Sequence, residues 1–116
     1  MNIQIFGKNK CFGSKAAERF FKERKIKFQF INIIEKGLSA RELDNVIVNV
    51  KEIDLLFDTK SPLYEKLNIA YITRSIDDKK ELLLNNPALF VTPIVRDCNS
   101  KKCTVGQAEA IWKSWI

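Results

Sequence analysis

The chain has 116 residues, of which 46% are hydrophobic and 29% charged, and its formal net charge is +6. This composition indicates a soluble globular protein with one domain over residues 1–116, and it excludes a disordered or fibrous chain. The apolar runs are too short for a transmembrane helix, and the opening residues lack a signal-peptide pattern. Three cysteines without dense spacing also exclude a secreted disulfide scaffold. We therefore expect a cytoplasmic protein with reduced thiols and no membrane partner.

The basic surplus is concentrated near the start of the chain. Residues 8–27 carry eight lysines and arginines against two glutamates, whereas the charges of the other residues cancel. A nucleic-acid surface is one interpretation of such a patch. We favour a solvated helix face, because no nucleic-acid motif or set of base-stacking aromatics accompanies the charge. A third interpretation is attraction of anionic substrates toward Cys11.

The first thirty residues predict a βαβ unit. An apolar run within residues 1–6 indicates a buried strand, and Gly7 ends it. From Ser14, which we interpret as the helix cap, apolar residues recur three and four positions apart, as on one face of a helix. Residues 26–33 begin by alternating apolar and polar side chains, as a strand does. Two parallel strands joined by a right-handed crossover follow from this order.

The middle of the chain predicts a helical insertion over residues 38–90. Ser39 and Glu42 have the spacing of a capping box, which opens one helix. Pro62 stands at the first position of a second helix, and Ser75 precedes a third. This stretch has little strand pattern and no linker of its own, so we interpret it as an insertion and not as a separate domain.

The last quarter of the chain returns to strands. Residues 92–97 and 103–105 flank a polar loop and predict a hairpin, and residues 107–115 predict a closing helix. The aromatic pairs Phe20/Phe21 and Trp112/Trp115 are interpreted as core packing. The predicted class is α/β, with the β-α-β, helical, β-β-α order of a thioredoxin-like fold and a mixed four-stranded sheet.

Thiol chemistry is the catalytic chemistry that remains once the residue types have excluded the alternatives. The chain has no histidine, which excludes imidazole metal ligands and Cys–His or Ser–His catalytic pairs. It has no CxxC pair and no phosphate-binding glycine motif, so we expect no metal and no cofactor. Cys11 lies between a strand end and a helix start, with Lys8, Lys10 and Lys15 nearby, and this setting favours a thiolate. The alternative is a small buried side chain at a strand end.

Four short motifs occur in order along the chain. They are FGKNKC at 6–11, DTK at 58–60 with Tyr64 and Leu67, NP at 86–87, and TPIV at 92–95 with VG at 105–106. Their order and the chain length resemble the arsenate reductase (ArsC)-like family, which includes the Spx-type redox regulators. The resemblance implies a thioredoxin-like fold with a helical insertion, a reactive Cys11, and a cis-proline at Pro93 beside it. From the residues alone, Pro93 is equally readable as an edge-strand proline.

The chain departs from the family pattern at three positions. Ser14 stands where dithiol members have a second cysteine, so Cys11-Phe12-Gly13-Ser14 is a monothiol motif. Lys60 and Thr92 stand where arsenate-reducing members have arginine, and neither offers a planar guanidinium for an oxyanion. We therefore expect weak or no arsenate reduction. The candidate residues for substrate or anion binding are Lys8, Lys10, Ser14, Lys60, Thr92, Pro93 and Arg96.

Two further cysteines lie in the predicted hairpin. Cys98 follows Pro93 by five residues, which is roughly 16 Å along a strand, whereas a disulfide needs Cα atoms within about 7 Å. Neither Cys98 nor Cys103 is therefore expected to reach Cys11. They could pair with each other across the hairpin or remain reduced.

The leading functional hypothesis is a thiol-dependent redox protein. Cys11 would attack a disulfide, an oxyanion or an oxidised substrate, and an external thiol such as glutathione would resolve the adduct. The main alternative is a non-enzymatic Spx-type regulator that binds another protein through its basic first helix or helical segment. A more distant alternative is an iron–sulfur cluster held by Cys11 of two chains with glutathione.

Overall fold

A mixed four-stranded sheet is the centre of the computed structural model, which describes residues 1–71 and 74–116. Its strands are β1 (Ile3–Gly7), β2 (Phe28–Asn32), β3 (Ile94–Asp97) and β4 (Lys102–Val105). They lie in the order β2-β1-β3-β4; β2 pairs with β1 in parallel, and the other two pairs are antiparallel. The predicted sheet is confirmed, and each strand agrees with its predicted range to within two residues.

Six α-helices are found in the described part of the chain, with three short 3₁₀ turns at Ile53–Leu56, Ile69–Tyr71 and Pro87–Leu89. They are α1 (Phe12–Glu23), α2 (Ile33–Lys36), α3 (Ala40–Val50), α4 (Pro62–Lys66), α5 (Ile76–Asn85) and α6 (Glu109–Trp115). The capping box is present, since the Ser39 hydroxyl accepts from the Glu42 amide and the Glu42 carboxylate accepts from the Ser39 amide. None of these helices is long and apolar enough to cross a membrane.

One face of the sheet packs against α1 and α6. Ile3, Ile5 and Val95 from the strands meet the aromatic side chains of the two helices there. The Phe20 and Phe21 rings contact the fully buried Trp112 with centroids 5.3 and 5.5 Å away. The interpretation of Phe20, Phe21 and Trp112 as core is confirmed, whereas Trp115 is only partly buried against this cluster.

The opposite face of the sheet packs against the helices between β2 and β3. Phe6 and Ile94 project to this side and lie in one apolar cluster with Leu43 of α3 and Leu83 of α5. Because neighbouring strand residues alternate in direction, Ile94 and Val95 enter opposite layers. The sheet is therefore covered on both faces, and the loops that connect its strands to the helices lie at the strand ends.

Two element boundaries differ from the sequence prediction. β2 ends at Asn32, whose side-chain oxygen accepts from the Ile34 amide and so caps α2, a helix that the apolar pattern did not predict. The closing helix begins at Glu109 and not at residue 107, because Gln107 is engaged with the start of α1.

The sheet has two edge strands, β2 and β4. β4 is packed against α3. β2 leaves one side unpaired within the described residues, and the exposed residues Lys25 and Lys27 immediately precede it.

Candidate active site around Cys11

Cys11 is the N-cap residue of α1. Its backbone is extended, and its sulfur accepts from the Ser14 amide at 3.4 Å. The prediction that Ser14 caps this helix is therefore wrong, because the helix begins at Phe12 and the sulfur takes the capping position. An N-cap sulfur lies at the end of the helix where unpaired amides and the helix dipole favour negative charge.

Ser14 is buried beneath the turn that joins β1 to α1. Its hydroxyl accepts from the Lys8 amide at 3.2 Å, and 1% of the residue is exposed. Gly7 makes this packing possible, because a Cβ at that position would lie 2.5 Å from the Ser14 hydroxyl oxygen. Ser14 therefore fixes the path of the turn on which Cys11 lies.

The Thr92–Pro93 bond is cis, as the family resemblance implied, and it lies beside Cys11. The Thr92 hydroxyl is 3.1 Å from the Cys11 sulfur, and a Cβ at Gly13 would lie 3.0 Å from the Pro93 ring. Pro93 comes just before Ile94, which pairs with Phe6 near the end of β1 from which Cys11 follows. The predicted juxtaposition is confirmed.

The pKa of the Cys11 thiol lies below its ordinary value. Burial of the sulfur raises the pKa. Hydrogen bonds from the Ser14 and Thr92 hydroxyls and from the Ser14 and Gly13 amides lower it, and together they outweigh the effect of burial. The direction agrees with the sequence prediction, although the cause differs in part. Neutral donors at the helix start and at Thr92 stabilise the thiolate, and the neighbouring lysines are not among the causes.

The three candidate lysines differ in their surroundings. The Lys8 ammonium donates to the carbonyls of Ala88 and Phe90 at 3.2 and 2.9 Å, so it ties down the segment that leads to Thr92. The side chains of Lys10 and Lys60 are exposed, and the backbone amide of Lys60 donates to Asp58 at 3.0 Å.

Arg96 lies toward the other end of the sheet. It pairs with Gln4 across β1 and β3, three residues before Gly7. Its guanidinium donates to Asn45 at 2.9 Å and to Gln4 at 3.3 Å, and it is 3.6 Å from the Cys98 sulfur. Arg96 is therefore not brought together with Cys11, and its inclusion among the candidate anion-binding residues was wrong on geometric grounds.

The hairpin cysteines are free thiols at the same distant end. Asp97, just before Cys98, pairs with Ile3 at the start of β1. The Cys103 sulfur donates to the Asn45 side-chain oxygen at 3.2 Å, and burial raises the pKa of this thiol to about 11. The expectation that neither cysteine reaches Cys11 is confirmed.

Two residues at the rim of the Cys11 site were missed by sequence reasoning. Phe12 directly follows the reactive sulfur and is 90% exposed. Gln107 donates its side-chain amide to the Gly13 carbonyl at 3.0 Å and so joins the start of α6 to the start of α1. An apolar residue in a first helical turn gives no signal of exposure, and the sequence pattern predicts Gln107 inside the closing helix.

Within the described ranges, no group of three or more cysteine, aspartate or glutamate side chains is placed to hold a metal ion. The chemistry available at this end of the sheet is that of a half-buried thiolate with a hydroxyl and amide donors around it.

Comparison with known proteins places this arrangement in a family. The model of the ArsC family matches residues 6–114. The chain belongs to the ArsC family. Its fold agrees with that of an ArsC family related protein from Bacteroides fragilis, with a TM-score of 0.90, 19% identity, and coverage of 100% of this chain and 98% of that one. An arsenate reductase from Vibrio cholerae gives a TM-score of 0.86 at 24% identity, with the same coverage. The thioredoxin-like fold is thereby confirmed.

Curated relatives of this ArsC-family chain carry regulator names. The global transcriptional regulator Spx 2 of Oceanobacillus iheyensis is 27% identical over 110 residues, covering 94% of this chain and 79% of the relative. The global transcriptional regulator Spx of Staphylococcus aureus is 25% identical over 108 residues, covering 92% and 81%. Sequence similarity thus extends to regulators, and structural similarity extends to arsenate reductases.

Proposed function

We propose that this ArsC-family protein is a monothiol redox protein of the reducing cytoplasm whose reactive group is the Cys11 thiolate. The observation that carries the proposal is the pair of donors on one sulfur, the Thr92 hydroxyl at 3.1 Å and the Ser14 amide at 3.4 Å. These donors accompany a lowered pKa of the Cys11 thiol. A thiolate is the form that attacks disulfides, and its fraction at neutral pH rises as its pKa falls.

The proposed reaction is thiol–disulfide exchange in two steps. The Cys11 thiolate attacks one sulfur of a substrate disulfide, a bond forms between the two sulfurs, and the other substrate sulfur leaves as a thiolate. An external thiolate such as glutathione then attacks the mixed disulfide and releases Cys11. The second thiol must come from outside, because Ser14 replaces the nearby cysteine and Cys98 and Cys103 lie at the far end of the sheet.

The test is exchange with a small disulfide. We expect the protein to form a one-to-one mixed disulfide with oxidised glutathione and to release it when reduced glutathione is added, both followed by intact mass. Cys11→Ser should abolish the adduct, whereas Cys98→Ser should leave it unchanged. An adduct on Cys98 in place of Cys11 would contradict the proposal.

Arsenate reduction is not part of the proposed activity. Oxyanion chemistry needs donors placed where charge develops, and Thr92 offers one neutral hydroxyl while Lys60 extends into solvent. We expect little arsenate turnover with glutathione and glutaredoxin, and an increase in the double variant Thr92→Arg with Lys60→Arg. Thr92→Gln with Lys60→Gln is the uncharged control. Robust turnover by the unmodified protein would mean that the oxyanion site lies elsewhere.

A second candidate is a regulator that acts by binding another protein. The names of the curated relatives favour it, and so do the basic surface of α1 and the exposed Phe12 next to the sulfur. In this alternative Cys11 is a sensor whose oxidation changes binding. The two functions differ in turnover: repeated reduction of a disulfide substrate marks the enzyme, and a single stoichiometric modification without turnover marks the regulator.

A further inference from the structure

Arg74, which precedes α5, has a guanidinium nitrogen without an acceptor. Its Nη2 donates to the Leu67 carbonyl at a long 3.4 Å. Its Nη1 has less than 1 Å² of exposed area and no hydrogen-bond partner in the part of the chain that the structure describes. Leaving a buried charged donor unpaired is costly, and native proteins avoid it unless water or an ion completes the site.

Arg74 also lines a pocket of about 420 Å³. Phe57 and Tyr64, with ring centroids 6.3 Å apart, form part of its lining together with Ile69 and Thr59. The lining therefore combines aromatic and aliphatic surface with two hydroxyl groups. Its volume exceeds that of a water molecule many times and suits a small organic molecule.

The charge of the lining is positive. Lys79 and Arg74 contribute two positive charges, and Asp54 contributes one negative charge. Lys79 already pairs with Asp54 at 2.7 Å, so its charge is largely compensated. Among the residues that the structure describes, Arg74 is the cation of this lining that has no anionic partner.

We propose that this pocket binds a small organic anion. The anionic end, a carboxylate or a phosphate, pairs with the Arg74 guanidinium, and the apolar end lies against the Phe57 and Tyr64 rings. Guanidinium groups bind such oxyanions with strong charge-assisted hydrogen bonds. None of the residues that contact the Cys11 sulfur lines this pocket, so the site stands independently of the thiol chemistry.

Phenyl phosphate and benzoate are the probes, with benzyl alcohol as the neutral analogue and inorganic phosphate as the anion alone. Binding is measured by calorimetry, and the contact residues by NMR shift changes in the full chain. We expect at least one aromatic anion to bind, to perturb Tyr64, Ile69 and Ala70, and to raise the melting temperature. Benzyl alcohol should bind at least about tenfold more weakly, because it lacks the charge that Arg74 recognises.

Arg74→Met is the decisive variant, and Arg41→Met, at an exposed arginine of α3, is its matched control. We expect the Arg74 change to weaken anion binding by about tenfold or more, since it removes the charged donor. In anion-free buffer it should not lower the melting temperature, because it removes a buried unpaired charge. Arg41→Met should change neither property.

Three results would overturn the proposal. The first is equal anion affinity in the Arg74→Met protein. The second is a set of NMR shifts that cluster at Cys11 and Thr92 instead of Tyr64. The third is a failure of Arg74→Met to fold in anion-free buffer together with unchanged affinity in Tyr64→Ala, which removes one of the two lining rings.

Discussion

Thr92 controls the ionisation of Cys11 from across the site. Its hydroxyl lies 3.1 Å from the sulfur, where it can donate to the thiolate. Removing a donor that stabilises the charged form raises the pKa of the thiol. A threonine thus provides part of the thiolate stabilisation at this end of the sheet. Within the described residues, no arginine contacts the Cys11 sulfur.

Thr92→Val tests this role. We expect the pH profile of Cys11 alkylation to move to higher pH by about one to two units, as the loss of a hydrogen bond to a charged group predicts. The rate should follow the thiolate fraction, so it falls at neutral pH and recovers in alkaline solution. Ser114→Ala, which removes an exposed hydroxyl on α6, serves as the control. An unshifted profile would show that the helix start alone sets the pKa.

At the scale of the element, the turn after β1 and the 3₁₀ turn Pro87–Leu89 are joined through Lys8. Its ammonium donates to the carbonyls of Ala88 and Phe90, which lie eighty or more residues along the chain. The stretch from Phe90 to Thr92 is short, so this connection helps to place the Thr92 hydroxyl. Lys8 acts here as a positioning residue for the site.

Lys8→Met should lower the free energy of unfolding by about 1–3 kcal/mol, because two carbonyls lose a charged donor. It should also raise the pKa of Cys11 through the displaced Thr92, which a purely structural role would not do. Denaturant unfolding and alkylation profiles measure the two effects. Lys8→Arg should restore part of both, and Lys10→Met, at an exposed lysine of the same turn, should change neither.

The β3–β4 hairpin is held closed by Asp97. Its carboxylate accepts from the Asn2 amide at 3.2 Å, the Asn99 amide at 3.1 Å and the Ser100 hydroxyl at 2.9 Å. Burial raises the pKa of this carboxyl. The three hydrogen bonds and the positive N-terminus lower it, and together they outweigh the effect of burial. A carboxyl with a lowered pKa in the folded state stabilises the fold above its unfolded pKa and loses that contribution as the pH falls.

Asp97→Ala should therefore cost about 1–3 kcal/mol of unfolding free energy at neutral pH. The difference from the unmodified protein should begin to shrink as the pH drops below about 4, where the carboxyl becomes protonated in the unfolded state. It should go on shrinking until the pH is below the lower folded-state pKa, where the carboxyl is protonated in both states. Denaturant titrations at several pH values measure this. Asp44→Ala, which removes an exposed ion pair with Lys80, should cost far less at every pH.

At the scale of the whole molecule, the order of elements and the sheet could be predicted, because strand alternation, capping residues and prolines are local signals. The position of Cys11 at a helix start followed from the same signals. The partner of each charged side chain could not be predicted from local signals, because the tertiary fold alone brings Lys8 to Phe90 and Arg96 to Asn45. Ser14 illustrates the same limit: serine is a common cap, yet here the preceding cysteine caps and the serine is buried.

The unpaired edge of β2 has a consequence for the behaviour of concentrated solutions. An open strand edge is a template on which a second copy of the chain can pair, and lysines at such an edge oppose this by mutual repulsion. Lys25 and Lys27 lie just before β2, within the most basic part of the chain. This protection is electrostatic, and salt screens it: the screening length is about 8 Å at physiological ionic strength and about 3 Å at 1 M. The colloidal stability of the protein is therefore expected to be greatest in dilute buffer and to decline as salt is added, which favours low-salt conditions for preventing strand-edge association.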